Sequence, residues 1–77
     1  MISENVILTT SKSEALVLFE FLVRFNEQAP KELFVDQAEQ RVLWNLEAYL
    51  EKQLTEPFLA NYHEIVEKAR EELRYEL

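Results

Sequence analysis

ALVLFEFLVRF, from Ala15 to Phe25, holds nine apolar residues in eleven, and a helix made from it is apolar around most of its circumference. Such a helix must be covered on more than one side. Its charged residues Glu20, Arg24 and Glu27 recur at i, i+4 and i+7, which lines them along one narrow edge, with Glu20 and Arg24 spaced to pair. The rest of the circumference carries Leu16, Leu18, Phe19, Phe21, Leu22, Val23 and Phe25, more apolar surface than two amphipathic neighbours normally cover. Either this helix is the centre of the fold or part of it meets a second molecule. A contact between two copies is the simplest cover, since two-fold homodimers are the commonest soluble oligomers.

Outward from this segment, a side-chain acceptor is followed three residues later by Glu in three places: Ser11 and Glu14, Asp36 and Glu39, Asn61 and Glu64. Each reads as a capping box, which satisfies the free N–H groups of a first turn and sets negative charge at the positive end of the helix dipole. With the helically spaced apolar residues that follow, they predict helices over about residues 12–27, 37–55 and 62–76. The stretches around Pro30 and Pro57 are the connecting loops, because proline cannot continue a helical ladder and pushes its predecessor toward extended geometry. The chain has no glycine, so Asn26 is the residue expected to end the first helix in a left-handed conformation. Val6-Ile7-Leu8 with Thr9 and Thr10, and Leu33-Phe34-Val35, have strand-like composition and allow a minute two-stranded β element near 5–9 and 33–35. The fold class is mainly α, a single three-helix domain over residues 1–77.

In the third helix Tyr62, Ile65, Val66, Ala69, Leu73 and Leu77 share a stripe that reads as core. In the second, Val42, Leu43, Leu46, Tyr49, Leu50 and Leu54 share one side, leaving Gln37, Gln40, Arg41, Glu47, Glu51 and Lys52 for solvent. Trp44 departs from this pattern. At about 100° per residue it projects nearly opposite the stripe, so it is either laid over by a loop or waiting for a partner, as aromatic residues at binding surfaces do.

Composition narrows the function further. At 77 residues one core barely offsets the entropy of folding, so added burial from a partner is expected. Eight Lys and Arg against fifteen Asp and Glu give a net charge of −7. That balance opposes nucleic acid and anionic membranes and suits solubility or a basic protein partner. The absence of Cys removes disulfides and thiol nucleophiles, and the apolar run of helix 1 falls short of the roughly 20 residues that cross a bilayer. A cytoplasmic protein is expected.

Chemistry finds little support in the pattern. Glu47 with Glu51, and Glu67 with Glu71, fall on solvent faces and do not converge as an acid–base pair must. His63 is the only histidine, and with Glu67, Glu56 or Glu64 it offers a weaker ligand set than metal sites use. No catalytic residue, cofactor or metal ligand is assigned.

The strings EALVLFEFL (Glu14 to Leu22), DQAEQRVLWNLEAYLEKQL (Asp36 to Leu54) and EPF (Glu56 to Phe58) resemble those of a group of small acidic uncharacterised bacterial helical proteins. The resemblance covers about half of the chain, implies a bacterial helical protein and carries over no functional residue. The residues themselves suggest a non-enzymatic protein-binding or assembly module that self-associates as a homodimer. Trp44, Phe19, Phe21 and Phe25 are the contact candidates. An antitoxin-like or immunity-like inhibitor acting on a basic partner is the alternative, and a metal-dependent or carboxylate enzyme the second.

Overall fold

A computed structural model of the chain describes residues 4–75. Three helices, α1 (Lys12–Gln28), α2 (Gln37–Gln53) and α3 (Tyr62–Tyr75), are joined through single 3-10 turns at Lys31–Leu33 and Glu56–Phe58. Residue 76 of the expected third helix, and Leu77 of its expected stripe, lie outside the described residues.

Local capping explains the starts. Ser11 Oγ accepts from the Glu14 N–H at 3.0 Å and Glu14 Oε1 accepts from the Ser11 N–H at 3.0 Å, so two orphan donors of α1 are satisfied reciprocally. At α2 the box is displaced: Asp36 Oδ1 accepts from Ala38 at 2.9 Å, while Glu39 reaches past the cap to the Val35 N–H at 2.8 Å. At α3 the backbone carbonyl of Asn61, rather than its side chain, receives the N–H groups of Glu64 and Ile65.

The ends differ from the expectation. Among the described residues none has a positive φ, and α1 runs two residues past Asn26 to Gln28. Ala29 then turns extended, with φ −65° and ψ 128°, as the Pro30 ring requires of its predecessor. Helix α2 stops at Gln53, where Leu54 turns extended and buries its side chain. The minute β element does not form among the described residues. Residues 4–10 are exposed and have no regular secondary structure, and Leu33 closes a 3-10 turn. In that turn the Leu33 and Phe34 amides bond the Pro30 and Lys31 carbonyls at 3.1 Å, taking donors that a strand would have needed.

Helix α1 is central, and α2 and α3 pack on it far more than on each other. Leu16 and Phe19 form a buried cluster with Leu54 and Ala69, edged by Ala15, Leu50, Tyr62 and Ile65. Leu22 is 2% exposed. The α3 stripe packs inward as expected, with Val66 and Ala69 buried. Helix α2 is rotated from its expected facing: Leu43, Leu46, Leu50 and Leu54 turn inward with Gln40 and Glu47, whereas Val42 and Tyr49 lie exposed. Two polar ties fasten the start of α1. The Lys12 ammonium bridges both oxygens of Glu56 at 3.1 and 3.3 Å, and the Ser13 hydroxyl donates to Glu72 on α3. The Glu56 carboxyl lies below its ordinary pKa because its own backbone N–H and then Lys12 stabilise the charged form.

This arrangement leaves much surface open. The chain exposes 6697 Å², where a compact monomer of 9.2 kDa exposes about 4,900 Å². Its radius of gyration is 14.2 Å, against about 11.5 Å for a compact chain of this length. The excess includes Val6, Ile7 and Leu8, each more than four-fifths exposed.

Candidate functional site

The open surface carries an aromatic strip in which three rings touch in turn and Trp44 stands across a cavity from the third. Phe21 and Phe25 stack one turn apart on α1, with ring centroids 5.5 Å apart and planes 24° from parallel. Phe25 then meets Phe34 edge-on at 6.3 Å and 88°. Both geometries suit the quadrupoles of the rings. Phe34 follows the 3-10 turn fixed by Pro30 and lines a cavity of about 440 Å³ with Trp44, floored by Gln40 and Arg41 of α2. On its other side Phe34 joins Phe25, Leu33, Val42 and Leu43 around an apolar groove of about 550 Å³.

Of the residues expected to make a contact surface, Trp44 is 46% exposed and Phe21 44% exposed, and Phe25 is half-buried between them. Phe19 does not belong with them. It is 5% exposed in the core cluster, because it projects from α1 toward α3 and the end of α2. Trp44 lines its cavity together with Lys31 and Phe34 of the loop after Pro30 and keeps nearly half of its surface open. Phe34, whose neighbours Leu33 and Val35 have strand-like composition, is not among the residues that the sequence marks as contact candidates. A phenylalanine between a proline and a helix cap was the available signal.

The polar groups near the strip also rearrange. Arg24 does not pair with Glu20; its guanidinium lies 5.4 Å from the Phe21 ring centroid, in reach of the negative face of the ring. Glu20 Oε2 instead accepts from the Tyr62 hydroxyl at 2.9 Å, tying α1 to α3. Glu47 is not a solvated acid. The Asn26 amide donates to it at 2.7 Å and to the Leu43 carbonyl at 3.4 Å, which docks α2 on α1 with a part-buried polar bridge.

Burial, and then the bond to Glu20, push the Tyr62 phenol well above its ordinary pKa of 10.0. A raised value means that the proton stabilises the folded state, a contribution fully present below the unfolded pKa and lost as pH rises through the folded one. The thermal midpoint is therefore expected to fall above pH 10.0. Tyr62→Phe should cost about 1 kcal/mol at neutral pH and remove most of that alkaline decline, as paired melts across the pH range would show.

His63 is exposed in the first turn of α3, its ring 6.2 Å from that of Tyr62. Among the described residues no three His, Cys, Asp or Glu side chains gather to hold a metal ion. No helix among them is long and apolar enough to cross a membrane. No protein family, curated protein or solved structure matches this chain.

Proposed function

We propose that this protein is a non-enzymatic binding module that works by self-association, through the aromatic strip that runs from Phe21 to Trp44. The observation that carries the reading is the strip itself: Phe21, Phe25 and Phe34 in successive ring contacts, Phe34 and Trp44 lining one cavity, and Phe21 and Trp44 nearly half exposed. Aromatic clusters with adjoining grooves are the usual anchors of protein contacts. A small buried core and an exposed area well above that of a compact monomer favour a protomer completed by its partner.

Trp44 is the only tryptophan, so its emission reports on this surface alone. Sedimentation equilibrium should show a dimer at micromolar concentration, with the Trp44 emission shifting to the blue as dimer forms. Trp44→Ala should weaken association by about tenfold while leaving the helical circular dichroism intact. A monomeric mass at all concentrations, with emission that does not change, would remove the self-association reading.

A further inference from the structure

We infer that the second copy docks along α1 in antiparallel fashion about a two-fold axis, each Glu14 facing the partner copy's arginine at position 24. The inference rests on the self-association proposed above and adds to it a contact along α1 that shares Phe21 with the aromatic strip. On α1, Glu14, Val17, Leu18, Phe21 and Arg24 line one shallow groove, which α3 borders with Arg70 and Leu73. Their spacing of i, i+3, i+4, i+7 and i+10 makes one stripe on a helix. It lies opposite the side that buries Leu16, Phe19 and Leu22.

The stripe has a charge polarity, with a carboxylate at its N-terminal end, a guanidinium at its C-terminal end and apolar side chains between. Two such stripes laid parallel set like charges against each other. Laid antiparallel, they set each carboxylate against an arginine and each Val17 against the ring at position 21 of the other copy. A two-fold contact requires this self-complementarity, since each residue pair occurs twice. Each of the two symmetry-related contacts then joins opposite charges, which offsets locally the repulsion expected between two chains of net charge −7. Arg70 Nε is buried and faces the Glu67 carboxylate at 4.0 Å, so it is the exposed Arg24 that meets the incoming acid.

The antiparallel pairing also starts each exposed arm, residues 4–10, beside the other copy's Phe25 and Phe34. Seven extended residues span up to about 23 Å, enough to lay Val6, Ile7 and Leu8 over that apolar groove.

The test is sedimentation equilibrium on the wild type, on Arg24→Glu, on Glu14→Arg and on an equimolar mixture of the two variants. Each variant alone sets like charges at both symmetry-related contacts and should dimerise about tenfold or more weakly. The mixture should recover wild-type association, because every 14–24 contact between the two different chains again joins opposite charges. Circular dichroism reports whether each variant folds. Should Glu14→Arg unfold with its capping box, Glu14→Gln keeps the box and must recover part of the association lost in Arg24→Glu. If the wild type dimerises while Arg24→Glu leaves its dissociation constant unchanged, or the mixture associates no better than the separate variants, the antiparallel contact is overturned and self-association stands. A wild type that never leaves the monomer overturns both.

Discussion

Phe19→Ala is expected to lower the unfolding free energy by about 3–5 kcal/mol, the cost of a lost aromatic side chain plus the cavity it leaves. Phe19 is 5% exposed and packs in the cluster with Leu16, Leu54 and Ala69, so it touches all three helical layers at once. In so small a core no other side chain can move in to fill the gap. A loss of that size is comparable to the whole stability of a marginal domain, and the variant should show a collapsed thermal midpoint or no cooperative transition. Denaturant or thermal melts beside Phe21→Ala provide the comparison, because Phe21 lies on the same helix at 44% exposure. If the two variants melt alike, the assignment of Phe19 to the core and Phe21 to the contact surface fails.

Asn26→Ala should cost about 2 kcal/mol, more than its size suggests. The Asn26 amide donates to the part-buried Glu47 carboxylate and also reaches the Leu43 carbonyl. Removing a donor leaves an acceptor desolvated and unanswered, and charged acceptors suffer most. Glu47→Ala alone should cost less, because it deletes the charge together with its need for a partner. The double variant should therefore be more stable than the sum of the two losses implies, and a double-mutant cycle measures that coupling. Strict additivity would mean that the bond between α1 and α2 contributes nothing to their docking.

The sequence determined the number, order and approximate span of the helices, because those depend on interactions within a few residues. Capping by Ser11 and Asp36, the two prolines and the 3.6-residue periodicity act locally, and the helices lie within two residues of where they point. That α1 needs cover on more than one side was also legible, since a helix apolar around most of its girth has to be covered, but whether its neighbours or a second molecule supply it was not.

Tertiary structure decided the rotation of each helix and the partners of its polar groups. Val42 and Leu43 are equally apolar in sequence, and only the docking of α2 by the Asn26–Glu47 bridge turns Leu43 inward and leaves Val42 out. Glu20 had two partners within reach, one turn away on its own helix and forty-two residues away on α3. The distant Tyr62 hydroxyl won because a part-buried bond is worth more than an exposed ion pair, and Arg24 was freed to lie on Phe21. The aromatic strip likewise joins Phe25, Phe34 and Trp44 from three separate segments. Local rules carry no information on such a juxtaposition, because it exists only once α1, the loop after Pro30 and α2 have been packed together.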